Sequence, residues 1–265
     1  MKKYVQEATD INIWTSIKNN TFGRNKDIKE FIDGLELIDE SACISLDAKW
    51  GDGKTFFVRQ IEEVLKYVLV NQWADEENSI EKLPSYKYLK DNEMIAKMEL
   101  KHSYLPIYYN AWMYDNHSDP LMSLLLVMTK TCKGVYDTKI DSEKISKKLI
   151  EVVATLPISL GEFKANPFTA IEKLQGKSMD ILSLVQTEEE IRERVKGLFN
   201  DIIVERAQKL IIFIDELDRC RPSFAIEMLE RIKHYFDDER DFLAVISNHQ
   251  FGNGTFQIDS DVCSG

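Results

Sequence analysis

The residues with the clearest chemical content are Gly51, Asp52, Gly53, Lys54 and Thr55, set between the strand-like run Ile44-Ser45-Leu46-Asp47 and a helical pattern from Phe56 to about Val70. Strand, glycine-bearing loop and helix start, in that order, make a phosphate cradle. Glycines let backbone N–H groups close around phosphate oxygens, and the helix N-terminus adds its positive end. In that chemistry Lys54 reaches the β- and γ-phosphates and the Thr55 hydroxyl is a ligand for Mg²⁺. Trp50, Gly51, Asp52, Gly53 and Phe56 complete the nucleotide-binding stretch. Against the template G-x-x-x-x-G-K-[ST] the chain departs once, with Ala48 in place of the first glycine.

A second stretch, Leu210-Ile211-Ile212-Phe213-Ile214, is apolar throughout and ends in Asp215 and Glu216. Such a run suits a parallel strand buried on both faces, with its acids at the carboxyl edge where ligands bind. Asp215 then holds the Mg²⁺ shell and Glu216 polarises the attacking water, which makes Glu216 and Lys54 the expected catalytic pair. Taken alone, an apolar run followed by acids is equally the mark of an ordinary buried strand.

Further motifs surround these two. Tyr109-Asn110-Ala111-Trp112-Met113-Tyr114, Asp215-Glu216-Leu217-Asp218-Arg219-Cys220, Leu229-Glu230-Arg231-Ile232-Lys233 and the Trp50-Gly51 pair resemble the KAP family of P-loop NTPases, over roughly residues 22 to 248. The resemblance implies an α/β fold, a P-loop NTPase-type parallel sheet flanked by helices. It implies ATP or GTP with Mg²⁺ as the bound species, and hydrolysis coupled to a conformational change. Relatives act in phage exclusion or as signalling scaffolds at membranes, an analogy of family rather than of site. The resemblance also places Gly23-Arg24 near the adenine, Asn110 and Trp112 near the phosphates, and Asn248 where it senses the γ-phosphate. Read without it, these are a turn before a helix, aromatics packing a core and a strand-end turn. Family members continue with a further strand and a helical lid that brings an arginine, so the C-terminal lid is expected to be truncated here, with Arg219 and Arg221 the arginines nearest the acidic motif.

The expected organisation is an irregular N-terminal arm over 1–21, the first half of the P-loop core over 22–133 with an exposed insertion at 73–101, a helical insertion over 134–190, the second half of the core over 191–249, and an irregular tail over 250–265. Asp119-Pro120 signals one helix start and Pro222 another. In the strand order usual for this superclass the cradle strand lies beside the one ending near Ile246. Its other edge then needs cover from the arm, the tail, a protein partner or a second copy of the chain.

Composition narrows the classes. The 265 residues suffice for one large α/β domain, and 34 Lys+Arg against 45 Asp+Glu give −11, which argues against broad binding to nucleic acid or anionic membrane. Cys43, Cys132, Cys220 and Cys263 have no C-x-x-C spacing, and the four histidines form no metal motif. The start lacks an apolar signal region, and the longest apolar runs fall short of the ~18 residues of a membrane span, so a cytoplasmic location is expected. Two other activities compete with hydrolysis. One is a nucleotide-gated interaction module with little turnover; the other is a small-molecule kinase, for which no acceptor pocket is legible.

Overall fold

A computed structural model of the chain describes residues 7–48, 51–72, 80–117, 119–136, 195, 197, 207–236 and 242–249. The apolar runs form four strands: β1 (Ala42–Ala48), β2 (Tyr104–Asn110), β3 (Lys209–Asp215) and β4 (Phe242–His249). All pair in parallel, in the order β1-β4-β3-β2. Every residue of β3 is buried, which explains why its run from Leu210 to Ile214 is continuously apolar rather than alternating. The cradle strand β1 pairs with β4, as expected, and is the outermost of the described strands on that side.

Two helical layers follow from the alternation of side chains along β2. Tyr108 meets Arg59 of α3 (Lys54–Gln72), whereas its neighbour Tyr109 meets Ser123 of α6 (Pro120–Tyr136). These two helices therefore cover opposite faces of the sheet. Asp119 caps α6 by accepting the Leu121 N–H at 2.8 Å, ahead of Pro120 at the first helical position. α2 (Arg24–Leu35) buries Ile28, Ile32 and Leu35, and α7 (Pro222–Phe236) buries Phe224, Met228 and Ile232, both at helical spacing. The start of the second half of the core, 191–206, falls outside the described residues apart from 195 and 197. So do the tail at 250–265 and the helical insertion at 134–190 beyond the end of α6. No described helix is long and apolar enough to cross a membrane.

Two expectations are corrected. The N-terminal arm is not irregular: α1 (Asp10–Lys18) is capped by Thr9 and buries Ile13 and Ile17. It packs against α3 and against α4 (Tyr86–Leu89) rather than beside β1. The stretch at 73–101 is not simply exposed either. Its described part folds through α4 and α5 (Glu93–Ala96) and buries Leu83, Leu89 and Ile95. Asn92 ties it to α1 by donating to the Ile17 carbonyl at 3.0 Å. Those three apolar residues and one amide are too sparse for a periodic pattern, so composition alone reads as surface.

Candidate functional site

The loop after β1 is shaped by two glycines in the left-handed region, Gly51 at φ 88° and Gly53 at φ 82°. Side chains there strain the backbone, and at Gly53 a Cβ would also stand 3.3 Å from the Arg24 guanidinium. Arg24, the first residue of α2, donates to the Gly53 carbonyl at 3.2 Å and the Asp52 carbonyl at 2.7 Å. In a trans peptide the N–H points opposite the C=O. Holding these two carbonyls on the α2 side therefore turns the N–H groups of Gly53 and Lys54 the other way, as a phosphate cradle needs. Arg24 also lies over the Phe57 ring, 5.9 Å from its centre. The family resemblance points to Gly23-Arg24 near the adenine; the grip of Arg24 on the Asp52 and Gly53 carbonyls has no signature of its own, because a Gly-Arg pair before a helix carries little information.

Lys54 opens α3 and is buried, donating from Nζ to the Ala48 carbonyl at 2.5 Å across the base of the loop. Burial holds the ammonium below the ordinary lysine value, against the raising pull of Asp218, Asp52, Asp215 and Asp47. Thus the two motifs, about 160 positions apart in sequence, sit within electrostatic reach of one another at the carboxyl edge of the sheet. Thr55 and Phe56 follow on the first turn of α3, both half-buried. Trp50 lies outside the described residues. Asn248 is in register with Asp47, and its side chain is not described.

On the neighbouring strands, Asn110 stands in register with Asp215. Asp215 is buried, with Oδ1 accepting the Glu216 N–H at 3.0 Å and Oδ2 accepting the Tyr108 hydroxyl at 3.0 Å. Burial, and then the Asp215 charge, push the Tyr108 phenol far above its usual range, so it remains a donor. Glu216 sits at φ 58°, a left-handed conformation uncommon for a non-glycine residue and characteristic of functional turns. Its carboxylate accepts from Asn110 Nδ2 at 3.1 Å and pairs with Arg219 at 3.1 Å. Arg219 in turn lies 5.6 Å from the centre of the exposed Trp112 ring. The dense aromatics after β2 therefore divide. Tyr109 packs the core, stacked on Tyr114 at 5.3 Å, while Trp112 and Met113 face solvent beside the site. Arg221 is engaged by Asp115, its Nε 3.3 Å from Oδ2.

The donor set fits a divalent cation bound together with phosphate. Four carboxylates act on Lys54, an arrangement that further positive charge relieves. Among the described residues no group of three or more His, Cys, Asp or Glu stands together to hold a metal unaided. A cation held there would take the rest of its shell from phosphate oxygens and water, as Mg²⁺ does.

Cys220 closes the turn after Glu216, its thiol donating to the Glu216 carbonyl at 3.6 Å. Burial, with Asp115, Asp218 and Glu216 adding to it, pushes the thiol from 9.0 up to about 11. Near pH 8 the thiolate fraction is then roughly a hundredfold below that of an ordinary cysteine. Iodoacetamide labelling followed peptide by peptide is expected to modify Cys220 about that much more slowly than after denaturation. A native rate equal to the denatured one would refute this.

Among curated proteins, no sequence matches this chain. The KAP family P-loop domain matches residues 24–249, from the Arg24 clamp through the cradle, Asn110 and the Asp215-Glu216 pair to the end of β4. With that match spanning most of the 265 residues and the geometry of both motifs agreeing with it, the chain belongs to the KAP family of P-loop NTPases.

Proposed function

We propose that the chain binds a nucleoside triphosphate, ATP in the first instance, together with Mg²⁺, and hydrolyses its β–γ phosphoanhydride to drive a conformational change. The observation that carries this reading is the approach of Lys54 to Asp215 and Asp218 beside a loop whose two glycines hold left-handed backbone. In this reading the N–H groups of Gly53 and Lys54 cradle the phosphates with the support of Gly51 and Asp52, and Trp50 and Phe56, next to the loop in sequence, complete the nucleotide-binding stretch. The Lys54 ammonium exchanges the Ala48 carbonyl for β- and γ-phosphate oxygens. Thr55 and Asp215 hold the metal. Mg²⁺, when bound, offsets charge on the phosphate oxygens and orients them. Glu216 accepts the proton of the attacking water, and Asn110 sets the direction of its carboxylate.

A second reading, a nucleotide-gated interaction module with little turnover, is favoured by one observation. The Glu216 carboxylate is already engaged by Asn110 and Arg219, so a water competes with both for it. The family's roles in phage exclusion and membrane signalling extend to this chain only as analogy.

Thermal unfolding with ATP, with and without Mg²⁺, tests the binding step common to both readings. Wild-type protein is expected to be stabilised by nucleotide, and more so with Mg²⁺. Lys54→Ala removes a charged hydrogen-bond donor to phosphate and is expected to weaken binding by about ten- to a hundredfold. No shift in wild type up to millimolar ATP or GTP, or an undiminished shift in Lys54→Ala, would overturn the assignment.

A further inference from the structure

The Asp215 carboxylate has two fixed contacts of different origin. The Glu216 N–H is set by the local turn, but the Tyr108 hydroxyl comes from another strand, 107 positions earlier in the chain. The Tyr108 ring is itself held: the Arg59 guanidinium lies over it, 4.7 Å from the ring centre. Arg59 stands on α3 five residues after Lys54, largely buried, and its other contacts point away from the site. Nη1 donates to Glu62 and Nη2 to Asp10 Oδ1 at 2.8 Å. Asp10 is the first residue of α1. Four residues on, Trp14 donates from Nε1 to Glu63 Oε2 at 2.6 Å, and Ser16 accepts from Gln60 at 2.8 Å. Helix α1 thus grips α3 through polar groups that run from the exposed Asp10 to the buried pair of Ser16 and Gln60, and Asp10, Arg59, Tyr108 and Asp215 form a continuous path from α1 to the candidate metal carboxylate.

We infer that Tyr108 is the positioning residue for Asp215, and that Arg59 makes this position depend on the docking of α1. The physical reason is geometric. A phenol hydroxyl can aim at one carboxylate oxygen only while its ring plane is fixed, and a cation over the ring face fixes that plane. Once Oδ2 accepts from Tyr108 and Oδ1 from the Glu216 amide, the carboxylate cannot rotate freely, and its remaining lone pairs have set directions. If α1 leaves α3, the Asp10 contact goes with it, Arg59 swings toward Glu62, and the Tyr108 ring loses one support. A partner that draws α1 away would loosen the metal site from outside it.

This inference rests on the proposed nucleotide site for its consequence but not for its structure, and two readouts separate them. In Tyr108→Phe the ring stays for Arg59 and only the hydroxyl is lost. The Mg²⁺ concentration giving half of the nucleotide-dependent thermal shift is expected to rise about tenfold, as for other supporting partners of metal ligands, with the metal-free nucleotide shift unchanged. The double variant Asp10→Asn/Trp14→Phe is expected to move the same midpoint in the same direction, but less. A lowered melting temperature with an unmoved Mg²⁺ midpoint would mean a merely structural role and would overturn the proposal.

The second readout is hydrogen exchange over residues 213–219 in nucleotide-free protein. It is expected to quicken in both variants, and an unchanged rate in the α1 variant overturns the relay. Should wild type show no nucleotide-dependent shift, the functional reading fails and the relay is decided by hydrogen exchange alone.

Discussion

Replacing Glu216 with glutamine is expected to lower nucleotide turnover by about two to four orders of magnitude, the usual contribution of a general base, while leaving the Mg²⁺-nucleotide thermal shift intact. The substitution keeps the length and shape of the side chain, and the left-handed backbone at this position costs glutamine no more than glutamate. The amide oxygen still accepts from Asn110, so the turn linking β3 to the start of α7 keeps its geometry. What is lost is proton affinity, and with it the pull on the attacking water. The ion pair with Arg219 also becomes a charged-to-neutral hydrogen bond, a minor change for a pair near the surface. Single-turnover hydrolysis beside thermal shift separates the outcomes. If turnover falls and binding persists, Glu216 acts in the chemical step. If wild-type turnover is already negligible and the variant matches it, the interaction-module reading stands instead.

That the site's chemistry was legible while its supports were not has a physical explanation. Phosphate and Mg²⁺ restrict residue type at fixed spacing, so Gly53-Lys54-Thr55 and Asp215-Glu216 stand out in a single sequence. The strands were legible because burial on both faces demands unbroken apolar runs, as in β3. Arg24 and Tyr108 had no such signature, since an arginine at a helix start or a tyrosine in a strand is ordinary in type. Tyr108 was nonetheless reachable: it precedes Asn110 by two residues on one strand, so alternation puts both on one face, and register sets Asn110 beside Asp215. Helix α1 was missed for a different reason. Its buried face is narrow, with Ile13 and Ile17 as its apolar members among mixed polar residues, and much of its docking is carried by Trp14, Ser16 and Asp10. The Thr9 cap four residues before Ile13 was the available clue.

Under the docked α1, α3 sets two buried carboxylates against one lysine, and Lys66→Met is expected to destabilise the fold by about 3–5 kcal/mol near neutral pH. Glu62 and Glu63 are adjacent on α3, with side chains 4% and 5% exposed, and Lys66 stands 3.3 Å from the first and 2.5 Å from the second. Burial works against the Lys66 ammonium, yet the two carboxylates outweigh it and its pKa stands above the ordinary lysine value. Burial also raises Glu62, with Lys66 and then Arg59 opposing. Methionine preserves the aliphatic stem and removes the charge, leaving Arg59 to serve carboxylates it only partly neutralises.

The pH dependence then has a definite sign. A carboxyl raised in the folded state stabilises the fold fully below the unfolded value, about 4.3, and that contribution is lost as pH rises through the folded value. Losing Lys66 raises Glu62 further, so the deficit of Lys66→Met relative to wild type must shrink as the pH is lowered to about 5. Urea unfolding at both pH values measures this, and adding Glu62→Gln to the variant is expected to restore most of the loss by removing the stranded charge. A deficit below about 1 kcal/mol at neutral pH, within the range of an exposed pair, or one that widens with acid, would show that water reaches these carboxylates and that α1 does not seal them.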